Sequence, residues 1–131
     1  MIRHTTFAIR VLLGFYLLAV AYLCFGHFDS MSSVSPSFLG IPTDKIVHFM
    51  LFFPFSFLVY GAADRHNRRP WRSFWFVFVT FLAGCVIAMG TEIGQYFTRY
   101  RSADPKDFLA DGIALLVSSI IVLCIDLYKQ K

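Results

Sequence analysis

Apolar residues fill four stretches of the chain, and polar ones gather in the short intervals between them. Arg3 and Arg10 precede the first run, VLLGFYLLAVAYLCFGHF, in which Ala19 and Ala21 faintly resemble a signal-peptide cleavage site. The run continues past them to Phe25, so it reads as an uncleaved membrane helix. FDSMSSVSPSFLGIP follows as a Ser- and Pro-rich connection without Lys or Arg. A second helix starts near Thr43 and Asp44, which suit the N-cap, and runs through KIVHFMLFFPFSFLVYGAA. Pro54 has no N–H to give the carbonyl of Met50, so a bend is expected there.

After the loop DRHNRRPWRS, a third helix is expected to begin around residues 73–76 and to run to about Phe97. Gly84 with Ala88, and Gly90 with Gly94, are pairs four residues apart, a spacing that lets helix backbones approach closely in lipid. The fourth helix opens at Ser102 or Asp104, with Pro105 at a tolerated first-turn position and an acidic start that suits the helix dipole; it ends near Tyr128. The four segments lie near 8–27, 44–63, 74–97 and 104–127, and about 18 or more apolar residues suffice to cross a hydrocarbon layer of roughly 30 Å. The expected fold is all-α: an integral membrane protein with four transmembrane helices in an antiparallel bundle, one domain over 1–131.

Composition agrees. With 57% of 131 residues hydrophobic and 15% charged, a soluble domain of this size has too little interior to hide the apolar surface. The net charge of +4 is not a nucleic-acid footprint, because the basic residues sit at segment ends. Arg65, Arg68, Arg69 and Arg72 share one loop, Lys129 and Lys131 close the chain, and the first loop has none. The positive-inside rule then puts both termini and the middle loop in the cytoplasm. Arg99, Arg101 and Lys106 fall on the other side, among acidic neighbours, and read as site or pairing residues. Cys24, Cys85 and Cys124 stand singly in apolar runs as packing residues; no metal-ligand spacing is present, and neither metal nor cofactor is expected.

The densest chemistry is in TEIGQYFTRYRSADPKDFLAD, residues 91–111. Glu92, Gln95 and Arg99 share a helix face, and Asp104, Asp107 and Asp111 repeat the spacing across the turn. An antiparallel hairpin sets Arg99 by Asp104, Gln95 by Asp107 and Glu92 by Asp111. The start of the second helix lies on the same side of the membrane and adds Asp44, Lys45 and His48. Ionisable groups below the interface cost about 2.5 to 3.5 kcal/mol each on insertion scales, so His48, Glu92 and Asp111 are expected to face the bundle interior. Two adjacent carboxylates share a proton or bracket a cation, with Arg99, Arg101, Lys45 and protonated His48 as the choices.

Two blocks carry a family resemblance. DKIVHF at 44–49 is similar to the Asp-Lys-x-x-His-Phe pattern of the VanZ-like family of small bacterial membrane proteins, and Glu92, Gln95, Arg101 and Asp107 resemble its second block. This chain has Asp111 where the family often has Asn, Ala114 near a usual Gly, and Phe52 where Tyr is frequent. The resemblance implies a four-helix protein of the bacterial inner (cytoplasmic) membrane with a role in the cell envelope and, from the teicoplanin-resistance protein that names the family, in glycopeptide susceptibility.

Three functions fit these residues. The first is recognition of an amphipathic envelope molecule, a lipid-linked cell-wall intermediate or a lipoglycopeptide such as teicoplanin, by Asp44, Lys45, His48, Glu92, Gln95, Arg99, Arg101, Asp107 and Asp111. The second is acid/base catalysis on a lipid head group by His48, Glu92 or Asp111. The third, a proton-linked transporter or flippase component, ranks last because polar groups thin out toward the basic end of the helices. Each residue also has a structural reading. Asp44 can serve only as an N-cap, Lys45 can snorkel to the interface, and His48 can bond Asp44 one turn back. A salt-bridge network that merely locks the hairpin remains an alternative.

Overall fold

A computed structural model describes residues 2–25, 37–38, 41–63, 69–97 and 105–130. The helices are α1 (Ile2–Phe25), α2 (Thr43–Phe52), α3 (Phe55–Ala62), α4 (Pro70–Phe97) and α5 (Pro105–Lys129). Ahead of α2, β1 (Ser37–Phe38) and β2 (Ile41–Pro42) pair antiparallel, with Ser37 opposite Pro42 and Phe38 opposite Ile41. Four segments are long and apolar enough to cross a membrane, namely Arg3–Leu23, Lys45–Ala62, Pro70–Phe97 and Pro105–Lys129. α4 opens directly at Pro70, a turn before the expected start, because proline at the first helical position gives up only an N–H that has no partner there.

The second crossing is broken where Pro54 predicts. Phe53 still donates to the carbonyl of Phe49 at 3.0 Å, α2 ends at Phe52, and α3 restarts with Leu58 donating to the Pro54 carbonyl at 3.0 Å. A break in lipid exposes backbone groups that water cannot satisfy. Here the Tyr16 hydroxyl of α1 donates to the carbonyl of Leu51, and the Arg10 Nε donates at 3.0 Å to the carbonyl of Ala62 at the end of α3. α1 thus repairs the ends of a split helix.

α5 is the hub. It packs most extensively on α4 and also on α2 and α3, whereas α1 lies outside against α3 and α4. The buried line of α4 runs Ser73, Val77, Thr80, Gly84, Ala88, Thr91, Gln95, in steps of three and four, and is made of small and polar residues. Gly84 permits the closest approach, since a Cβ there would lie 2.6 Å from Leu115 Cδ2. A Cβ on Gly90 would meet nothing within 4 Å. Both glycine–small pairs have the same spacing, but only Gly84 and Ala88 lie on the buried line.

Among the described residues the apolar core centres on Val20, Phe52, Phe55, Ala88, Ala114 and Leu115, with half-buried groups such as Tyr16, Phe49 and Phe81 packed against it. Elsewhere the interior holds more polar side chains than apolar ones, while Phe7, Phe15, Leu18, Val86 and Ile93 point outward. That distribution suits lipid as the solvent, where apolar groups gain nothing by being hidden and polar groups must be.

Candidate functional site

The short connection between α4 and α5 makes them antiparallel neighbours, so the end of one meets the start of the other. The start of α2 comes alongside, and the three ends pool their ionisable groups. Lys45 Nζ lies 3.0 Å from Asp107 Oδ1. His48 stands between carboxylates: its Nδ1 is 3.0 Å from Asp111 Oδ1 and 4.0 Å from Glu92 Oε1, while its Nε2 is 3.6 Å from Asp107 Oδ2. Asp111 is fully buried and His48 is 5% exposed, so water does little to screen these charges.

The sequence arithmetic set Glu92 by Asp111, and the group lying between those two carboxylates is His48. Gln95 and Asp107 are both buried at the same end of the bundle. His48 reaches forward to α5, where its Nδ1 lies 3.0 Å from Asp111 Oδ1. Arg99, Arg101 and Asp104, and the side chain of Asp44, lie outside the described residues.

Polar groups do not thin out toward the other end. Ser56 and Ser118 lie 3.1 Å apart, as do Ser56 and Ser119, between α3 and the middle of α5. Further along, the Tyr60 hydroxyl donates to Asp126 Oδ1 at 3.0 Å, and Asp126 is fully buried. Gln130 Nε2 donates to Ser73 Oγ at 2.6 Å and ties the end of α5 to the start of α4. The expectation that polar groups thin out toward this end is corrected, because Asp126 falls four residues after Val122 on the same buried line of α5. That line, Asp107, Asp111, Leu115, Ser118, Val122, Asp126, was the signal available to find it.

Removing the Tyr60 hydroxyl takes one hydrogen bond from this second acid. Tyr60→Phe is expected to cost about 1–3 kcal/mol in detergent unfolding, whereas Tyr128→Phe, at a side chain 80% exposed, is expected to leave the melting temperature unchanged. Lys129 Nζ, 5.6 Å from the Tyr60 ring centroid, still meets an aromatic face in Tyr60→Phe, so the difference reads the loss of the hydroxyl and not of the ring.

The fold and site define a class: a multi-pass, four-helix membrane protein with a buried acid–histidine–lysine cluster at one end of the bundle. The VanZ/LLP1 family model matches residues 13–126, which take in the second and third crossings whole, the latter half of the first, most of the fourth, and every residue of the cluster. The chain belongs to the VanZ/LLP1 family. Comparison with curated proteins and with solved structures gave no match.

Proposed function

We propose that this protein recognises the polar head of an amphipathic envelope molecule, a lipid-linked cell-wall intermediate or a lipoglycopeptide such as teicoplanin. The observation that carries the reading is the convergence of Lys45, His48, Glu92, Asp107 and Asp111 from three helices at one end of the bundle. Burying so many ionisable groups at membrane depth is costly, and such groups mark ligand or ion sites in membrane proteins. The opposite end carries Arg10, Arg69, Arg72 and Lys129, and the positive-inside rule then turns the cluster outward from the cytoplasmic membrane, with both termini in the cytoplasm. Lys45 supplies an anion contact, while the carboxylates accept from hydroxyl or amine groups.

Native mass spectrometry of the detergent-purified chain tests this. A discrete lipid or cell-wall-precursor adduct is expected on the wild type and lost from folded Glu92→Gln and Asp111→Asn. An adduct that survives in both variants, or none on the wild type, removes the reading.

A second reading has its own support, since His48 is flanked by Asp111 on one ring nitrogen and Asp107 on the other, an arrangement that orients an imidazole for proton transfer. It predicts conversion of a lipid substrate that stops in Asp111→Asn while binding persists.

A further inference from the structure

His48, Glu92 and Asp111 each present one donor atom, and these atoms lie within 4.8 Å of one another. They arrive on α2, α4 and α5, so no local spacing announces them as a set. Asp111 adds an independent sign: its side chain is fully buried, yet Oδ2 has no hydrogen-bond partner among the described residues. The charges point the same way. Among the described residues Asp107 lies against Lys45, while Glu92 and Asp111 both face the single imidazole of His48, so two buried carboxylates converge on one ring nitrogen.

We propose that His48, Glu92 and Asp111 form a site for one divalent first-row cation, zinc or manganese. One imidazole with two carboxylates suits those ions better than magnesium or calcium, which prefer all-oxygen shells. The imidazole ligates through Nδ1, the nitrogen that faces both Asp111 and Glu92. Nε2 keeps its proton and directs it at Asp107 Oδ2, 3.6 Å away, and Lys45 holds the other oxygen of that carboxylate at 3.0 Å. A carboxylate behind a ligating histidine fixes the tautomer and raises the basicity of the ring.

Metal–ligand distances of about 2.0–2.1 Å put tetrahedral donors roughly 3.3 Å apart. The separation of 3.0 Å between His48 and Asp111 is already close to that, and the flexible Glu92 side chain closes the 4.0 Å gap. Two ligating carboxylates balance a dication, and Asp107 balances Lys45, so the buried assembly becomes neutral. Three protein ligands leave one tetrahedral position for water or for an oxygen of a bound molecule. The cation site does not depend on the head-group reading.

The test uses the full chain in detergent, stripped with a chelator, dialysed against zinc ion alone and assayed for metal per chain, with magnesium and calcium as controls. X-ray absorption of the zinc-loaded wild type reads the first shell. One zinc per chain is expected, in a shell of nitrogen and oxygen with a single imidazole and no sulfur. Glu92→Gln and Asp111→Asn are expected to lose stoichiometric uptake, and Asp107→Asn to weaken it by roughly 10- to 100-fold, as outer-shell changes do. Failure of the wild type to retain either zinc or, in a parallel dialysis, manganese overturns the proposal, as does a zinc shell containing sulfur or several imidazoles. Both decisive readings come from the wild type, so a variant that fails to fold leaves the outcome intact. A lipid adduct on a wild type that binds neither zinc nor manganese removes the cation site and spares the head-group reading.

Discussion

Replacing His48 with leucine is expected to lower stability by about 3–5 kcal/mol, the cost of leaving a buried charge without its partner. Asp111 is fully buried, and its Oδ1 lies 3.0 Å from His48 Nδ1, so the substitution strands a carboxylate where little water can reach it. The double variant His48→Leu/Asp111→Leu is expected to be much less damaged than the two single changes summed. An apolar pair removes the stranded carboxylate of Asp111 together with the imidazole, and the remaining loss is that of the longer His48 contacts to Glu92 and Asp107. A double-mutant cycle followed by unfolding in mixed micelles reads the coupling, expected at about 1–3 kcal/mol. Strictly additive losses would mean that His48 and Asp111 do not depend on each other.

Gly84→Val is the second large effect, about 1–3 kcal/mol from overpacking. A Cβ at this position would lie 2.6 Å from Leu115 Cδ2, 3.0 Å from Leu115 Cδ1 and 3.1 Å from Phe55 Cδ1. Leu115 is itself fully buried and has little room to turn away. Trimming the obstacle in Gly84→Val/Leu115→Ala is expected to recover much of the loss. Gly90→Ala, where a Cβ meets nothing within 4 Å, is expected instead to stabilise by about 0.5–1 kcal/mol through helix propensity. Equal effects at Gly84 and Gly90 would remove the assignment of the packing seam.

Much of this is legible in the sequence, for identifiable reasons. Apolar run length gives the crossings, because lipid thickness fixes how much helix is needed. Pro54 gives the break, because its missing N–H is a covalent fact. Lys45, His48, Glu92, Asp107 and Asp111 could be gathered at one end because short connections impose antiparallel order and charged groups at membrane depth turn inward. The Tyr60–Asp126 pair was not foreseen. Tyrosine near a helix end fits the interfacial belt as well as a buried bond, and an acid there can reach water. Ser56, Ser118 and Ser119 are equally silent, since a serine in lipid can satisfy its own helix backbone. The two small-residue pairs of α4 were indistinguishable by spacing. Only the line from Ser73 through Thr80 and Thr91 to Gln95 separates them, and it becomes visible once the direction of the α5 neighbour is known.

The polar line of α5 also bears on how the protein is made. Alone in a bilayer, this last helix would carry Asp107, Asp111 and Asp126 without cross-helix partners, each at a cost that rises with its depth below the interface. The partners described for them, Lys45, His48 and Tyr60, all lie earlier in the chain. A ribosome therefore delivers the basic and hydroxyl groups to the membrane before the acids that need them. When α5 leaves the translocon, the α2–α3 surface is already in place to receive it, and insertion and docking of the final helix become one event.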